Sequence, residues 1–262
     1  MEVILQPDEL AASKLVARIL ARELRARPQL VLGLATGRTM ERVYEELARL
    51  HREDGLDFSL CRTFNLDEYI GLPPADPRSY RHYMEKHLFR QVNIDPRNSH
   101  LPNGMADDLD AECRRYESEI RDCGGIDLQL LGIGHSGHIG FNEPLSALRS
   151  RTRAKALTPT TREQNAPLFG GDVDRVPKRA ITMGVGTILD AQRMVTLVTG
   201  AEKADILAKA VEGPITAMVT ASVLQLHPRC TVVVDEPAAA QLQGIDYYRW
   251  IFENEPEWQA FR

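Results

Sequence analysis

The apolar run Ile126–Leu131 leads without a break into Gly132-Ile133-Gly134-His135-Ser136-Gly137-His138-Ile139-Gly140-Phe141-Asn142-Glu143-Pro144. A strand that feeds a glycine-rich loop is where an α/β sheet exposes its backbone amides. The loop also carries two histidines and a carboxylate, a density that points to chemistry.

Gly132, Gly134 and Gly137 satisfy Gly-x-Gly-x-x-Gly, but the dinucleotide fingerprint needs a helix opening on the third glycine and an acid about twenty residues further on. Gly140 and Pro144 interrupt any such helix, and no Asp or Glu occurs between Glu143 and Glu163. The loop reads better as a tight turn approached by a small ligand, with His138 and Glu143 as an acid/base pair. The plain alternative is a turn with a hydrogen-bonded surface histidine. A metal site has less behind it, since the helical His-Glu-x-x-His pattern is absent and no cysteine is close in sequence.

The same strand-and-helix rhythm runs through the chain. Asp8 caps a helix in which Leu15, Ile19, Leu20 and Leu24 recur at helical spacing to about Arg27. Leu30–Leu34 reads as a buried strand, Ala35–Thr39 as a glycine turn, and Val43, Leu47 and Leu50 mark the next helix. A strand, a glycine turn and a helix N-terminus form a generic anion site. The Gly-Lys-Ser/Thr ending of a Walker loop is missing, but Thr36, Gly37, Arg38 and Thr39 favour a phosphate over a plain connection. Leu60–Leu66 is the next strand, and Asp67 at its C-terminal end lies where open parallel sheets bind ligands. An Asp after a strand also serves as a simple turn or helix cap.

Arg78–Arg90 and Asp107–Cys123 read as helices. Arg149, Arg151, Arg153 and Lys155 alternate, so a strand would present all four cations on one face, as a solvated edge or an anion site. The polar stretch Thr158–Lys178 is long for a connection and reads as a lid or a surface excursion. Val195–Val198 is a strand, Gly200 a turn, and Ala201–Val211 a helix with Lys203 in its first turn. A cation there opposes the helix dipole unless an anion is near, so Lys203 either completes the phosphate site or is an ordinary solvated lysine. Thr220–Leu226 reads as a further helix and Thr231–Val234 as a buried strand, while the aromatic end from Tyr247 to Trp258 docks on the body or on a neighbouring subunit. Strands alternating with helices imply an α/β sandwich around a mostly parallel sheet.

The length of 262 residues suits one domain with one large core. A net charge of −5 argues against a general nucleic-acid binder. No apolar run approaches the ~20 residues of a membrane span. Cys61, Cys113, Cys123 and Cys230 show no metal-type pairing, and the first residues lack the charged and apolar regions of a signal peptide, so a cytoplasmic setting is expected.

From about Leu30 to Pro237 the chain resembles the glucosamine-6-phosphate deaminase family. The resemblance is carried by Phe64-Asn65-Leu66-Asp67-Glu68-Tyr69-Ile70-Gly71-Leu72, Gly137-His138-Ile139-Gly140-Phe141-Asn142-Glu143-Pro144, Ser150-Arg151-Thr152-Arg153 and Leu224-Gln225-Leu226-His227-Pro228, all in order. It implies a three-layer α/β/α sandwich with a Rossmann-like sheet, no metal or organic cofactor, an amino-sugar phosphate as substrate, and a homo-oligomer, trimer or hexamer. It further implies that Asp67 is the base moving the C2 proton to C1. His138 would open the sugar ring while Glu143 orients it, and Thr36, Gly37, Arg38, Thr39 and Lys203 would hold the phosphate. Ser146, Arg153 and Lys155 match the residues by which allosteric members bind N-acetylglucosamine 6-phosphate between subunits. Three positions depart from the pattern. Ser136 stands where relatives usually have Asp or Asn, Arg38 where they have a small residue, and Pro167 where they have a phosphate-binding Arg. Two other readings stay in view: a sugar-phosphate hydrolase of the 6-phosphogluconolactonase type, which shares the general fold, and, from the three departures, a sensor that binds sugar phosphates without turnover.

Overall fold

The computed structural model describes all 262 residues. Ten strands divide between two sheets. In chain order they are β1 (Glu2–Gln6), β2 (Val31–Leu34), β3 (Arg62–Asn65), β4 (Asp67–Tyr69), β5 (Ser99–His100), β6 (Leu128–Leu131), β7 (Arg153–Ala156), β8 (Arg179–Thr182), β9 (Arg193–Val198) and β10 (Cys230–Asp235). The helices are α1 (Glu9–Ala26), α2 (Arg38–Asp54), α3 (Tyr80–His87), α4 (Leu109–Asp122), α5 (Pro159–Asn165), α6 (Val185–Leu189), α7 (Ala204–Val211), α8 (Glu236–Ala239) and α9 (Ile245–Asn254).

The main sheet has seven strands in the order β1-β10-β9-β6-β2-β3-β5. Every pair in it is parallel, a stricter arrangement than the mostly parallel sheet expected. Helices flank it on both faces, so its central strands are covered throughout; β9 and β10 are buried along their whole length. That double burial is why these strands read as continuous apolar runs instead of alternating ones. Asp8 caps α1 by accepting the Ala11 amide, and Leu15, Ile19, Leu20 and Leu24 form its buried stripe. No helix is long and apolar enough to cross a membrane.

The chain leaves β2 toward β3 and β5, then returns to lay β6 on the other side of β2 before continuing to β9 and β10. The strand order therefore reverses between β2 and β6, and the turn 35–39 and the loop 132–144 both open at that switch point, where parallel sheets form a crevice.

A second sheet, β4-β8-β7, is antiparallel, and of its strands the sequence reading offered only the one that contains Arg153 and Lys155. It carries a separate small core in which Tyr69, Phe141, Leu157, Phe169 and Val176 join the 158–178 segment to the body. This sheet corrects the expectation of a four-cation stripe. Only Arg153 and Lys155 lie on β7, whereas Arg151 precedes it and is paired with Glu117 at 3.0 Å and Asp190 at 2.6 Å. The helix expected over Arg78–Arg90 is α3 followed by a 3-10 turn, and Thr220–Leu226 is itself a 3-10 helix. At the C-terminal end Trp258 and Phe261 are buried on the body, and Arg18 and Arg22 lie over the Phe261 ring at 5.3 and 4.5 Å. Tyr247 and Trp250 remain exposed.

Candidate active site

The turn after β2 leaves its backbone open to approach. Gly37 takes a φ of 127°, a conformation that a side chain resists, and it opens α2 with no side-chain cap. Two carbonyls of the turn are already engaged, Ala35 accepting from Tyr44 Oη and Gly37 from Tyr83 Oη at 2.8 Å. The leading amides of α2 therefore stay available to an anion. Thr36 and Thr39 are half-buried, and Arg38 is exposed at the first helical position. Lys203 ends a short 3-10 turn just before α7 and donates to the Ile133 carbonyl at 2.9 Å. Burial lowers its pKa and the charge of Arg38 pushes the same way, while Glu202 opposes both. A Cβ on Gly132 would sit 3.1 Å from Met40 Cε, so the first turn of α2, the start of the glycine loop and Lys203 meet at one place.

Asp67 stands at the seam between the two sheets. The Leu66 amide still bonds to Leu34 of β2, while the Leu66 carbonyl accepts from Met183, just beyond β8. The next residue, Asp67, opens β4 opposite Thr182. Its side chain is buried and directed at the glycine loop, for a Cβ on Gly140 would lie 3.4 Å from Asp67 Oδ2. Burial pushes the carboxyl up to about 8, Glu68 adds to the rise, and the Phe141 amide offsets part of it. Glu68 has another task, accepting the amides of Tyr69, Tyr80 and Arg81 at 2.8 to 3.0 Å and so anchoring the start of α3.

His138 is also buried, and its Nε2 lies over Gly134, where a Cβ would be only 2.1 Å away. Only glycine fits there. Nδ1 is 2.8 Å from Ser136 Oγ and 3.3 Å from Glu143 Oε2. Burial alone would raise the Glu143 carboxyl, but the His138 ring, the Thr161 hydroxyl and the Thr158 amide hold it down to about 2. An ionised carboxylate can only accept, so it selects the tautomer with the proton on Nδ1 and leaves Nε2 to exchange protons. Asp67 and the His138–Glu143 pair thus come together through the single loop 138–143, with the cationic turn at the loop's other end.

Ser146, Arg153 and Lys155 lie beside this loop. Arg153 Nη1 donates to Asn142 Oδ1 at 2.9 Å, and the Asn142 amide holds the carbonyls of Ile139 and Met183. Arg153 Nη2 and Ser146 Oγ are buried without a hydrogen-bond partner. No group of three or more His, Cys, Asp or Glu side chains converges as a metal ligand set. Open concavities of about 280 and 400 Å³ lie at the opposite, N-terminal ends of β6 and β2, beside Ile126 and Leu30, and contain none of these residues.

Sequence reasoning missed Tyr44, Tyr83, Thr158 and Thr161. The Thr158-Pro159 pair carries a helix-start signal, but nothing local announces that the cap faces Glu143.

Residues 7–233 match the family of glucosamine-6-phosphate isomerases/6-phosphogluconolactonase. The chain is 49% identical over 260 residues to the glucosamine-6-phosphate deaminase of Arthrobacter sp. (strain FB24), covering 99% of this chain and 100% of the relative. It is 50% identical over 251 residues to that of Hahella chejuensis (strain KCTC 2396), covering 96% of this chain and 95% of the relative. A solved structure described as a monomeric glucosamine-6-phosphate deaminase superposes with a TM-score of 0.90 at 45% identity, covering 92% of this chain and 100% of that one. The 6-phosphogluconolactonase of Trypanosoma cruzi superposes with a TM-score of 0.74 at 18% identity, covering 92% of this chain and 97% of that one, a likeness of fold alone.

Proposed function

The chain belongs to the glucosamine-6-phosphate isomerase/6-phosphogluconolactonase family, and from that premise we infer that it converts glucosamine 6-phosphate and water to fructose 6-phosphate and ammonia. The observation that carries the assignment of roles is the fully buried Asp67 carboxyl, raised to about 8 and facing the loop that bears His138 and Glu143. An ordinary carboxylate is a weak base for a carbon acid, and desolvation brings this one toward the pH at which it must work.

In the first step His138 Nε2 takes the proton of the C1 hydroxyl and delivers it to the ring oxygen, so that the bond between C1 and the ring oxygen breaks and an aldehyde forms. Glu143 keeps Nδ1 protonated and steadies the positive charge that comes and goes on the ring. Asp67 then takes the proton from C2 and returns it to C1, while the aldehyde oxygen gains a proton and the amino group gives one up, leaving a C1 hydroxyl and an imine at C2. Water adds to that carbon and ammonia departs. The phosphate is held by the α2 amides with Thr36, Gly37, Arg38, Thr39 and Lys203, and Arg38 supplies the guanidinium that Pro167 does not. A lactonase would remove no proton from carbon and has no use for a carboxyl raised in this way.

The 158–178 segment serves as a lid on a single domain, supported by its own small core against Tyr69 and Phe141. Ser146, Arg153 and Lys155 receive an anionic effector, supported by the unpartnered buried Ser146 Oγ and Arg153 Nη2. The proposed homo-oligomer, trimer or hexamer, and the cytoplasmic setting rest on the resemblance, and a relative described as monomeric stands against the former. Light scattering gives the assembly directly. The activity is tested by a coupled assay for fructose 6-phosphate and ammonia with the intact chain and Asp67→Asn. Product of both kinds from the first and neither from the second is expected; no ammonia from the intact chain would overturn the reading.

A further inference from the structure

Glu143 meets the imidazole with one oxygen and the 158–178 segment with the other. Oε2 stands 3.3 Å from His138 Nδ1, while Oε1 accepts the Thr158 amide at 3.0 Å and the Thr158 hydroxyl at 3.2 Å. The same hydroxyl oxygen accepts the Thr161 amide at 3.2 Å, as the N-cap of α5, and lies 3.1 Å from the Thr161 hydroxyl. A hydroxyl has one proton to give. With a lone pair turned to the Thr161 amide, Thr158 directs that proton to the charged acceptor, where the bond is strongest. The cap of α5 and the partner of the imidazole are therefore joined by one side chain.

From this geometry we propose that Thr158 is a positioning residue whose hydroxyl fixes the Glu143 carboxylate against His138 Nδ1, so that docking of the first turn of α5 and orientation of the imidazole are a single event. The kinetic consequence rests on the deaminase reading; the effect on the imidazole does not.

The test compares the wild type with Thr158→Val, Thr158→Ser and Thr158→Asp, each also made in a Glu143→Gln background. Ammonia release gives kcat and KM. Ring ¹⁵N shifts of His138, assigned by loss of its signals in His138→Gln, report which nitrogen holds the proton. Thr158→Val keeps the amide but loses the hydroxyl, and should lower kcat about tenfold with KM within about twofold, while the ¹⁵N pattern moves from Nδ1–H toward a mixture. Thr158→Ser should restore both. Asp is as good an N-cap as Thr but sets a second carboxylate against Glu143, so Thr158→Asp should be impaired although α5 remains capped. In the Glu143→Gln background the Val substitution should cost nothing further. An unchanged ¹⁵N pattern in both the Val and Asp variants, failure of Ser to rescue, or an equal loss in the Glu143→Gln background would reduce Thr158 to a helix cap. Absence of ammonia from the wild type would remove the deaminase reading and leave the ¹⁵N test standing.

Discussion

Asp67 and Glu143 are two carboxyls of one site, 5% and 2% exposed, and their surroundings drive them in opposite directions. At the seam between the sheets Asp67 has the Phe141 amide to set against burial and the nearby Glu68, and it rises to about 8. On the glycine loop Glu143 faces the His138 ring, the Thr161 hydroxyl and the Thr158 amide, and these outweigh burial to hold it at about 2. Exposure alone does not separate them; deeper burial within the protein and the neighbouring Glu68 act on Asp67, whereas donors within reach act on Glu143. The division suits the chemistry, since a group that removes a proton from carbon must be basic near neutral pH, and a group that steadies an imidazole must remain an anion.

The largest effect should come from Asp67→Asn. Loss of the base should lower kcat at the upper end of the ~10²–10⁴-fold typical of such groups. Stability should move the other way. Because the folded carboxyl lies above its ordinary value of 3.8, its contribution to stability is present below that pH and is lost as pH rises through about 8. Asn carries no charge to bury, so the variant should melt above the wild type at pH 8, with the gap closing toward pH 4. A variant that is inactive yet melts lower throughout would mean that Asp67 is not held against its charge, and the contrast with Glu143 would fail.

Glu143→Gln sharpens the same contrast from the other side, with an expected loss in kcat of roughly 10²-fold. Here the folded value lies below the ordinary 4.5, so the carboxylate stabilises the fold above that pH and the benefit disappears as pH falls to about 2. The variant should therefore melt below the wild type at pH 7 and approach it in acid. Thermal scans of both variants across pH test the two signs together.

The phosphate end should respond differently from either carboxyl. If Lys203 and Arg38 hold the phosphate as proposed, Lys203→Met and Arg38→Gly each remove a charge-assisted contact worth roughly 1.5–3 kcal/mol, so KM for glucosamine 6-phosphate should rise about tenfold or more while kcat changes little. If Arg38→Gly left KM unchanged, the guanidinium would not be part of the phosphate site.

The parts of this site that were legible in the sequence are those whose chemistry is local. A glycine turn between a strand and a helix singled out residues 36–39 as candidates, and the glycine loop singled out His138 and Glu143, because strand and turn follow one another along the chain. The β4-β8-β7 sheet was not legible, since β8 is four residues long and pairs with segments remote in sequence. Without that sheet Arg151 looks like a neighbour of Arg153, although it is turned to Glu117 and Asp190. The opposite pKa shifts of Asp67 and Glu143 depend on desolvation and on donors from Phe141, Thr158 and Thr161 that exist only after folding.

The smallest effect, and the one that bears most closely on the identity of the imidazole's partner, should come from Ser136→Ala. Ser136 Oγ is nearer to His138 Nδ1 than Glu143 is, 2.8 Å against 3.3 Å. Distance alone would make serine the principal partner. A hydroxyl is neutral, however, and losing its hydrogen bond costs about 0.5–1.5 kcal/mol, whereas the carboxylate also stabilises the imidazolium by its charge. Ser136→Ala should therefore lower kcat only roughly two- to tenfold, with the melting behaviour of Asp67→Asn unchanged when the two substitutions are combined. Kinetics of Ser136→Ala beside Glu143→Gln decide the matter. An equal loss in the two would mean that proximity outranks charge at Nδ1, and Glu143 would then owe its low pKa to the threonines of α5 more than to any task at the imidazole.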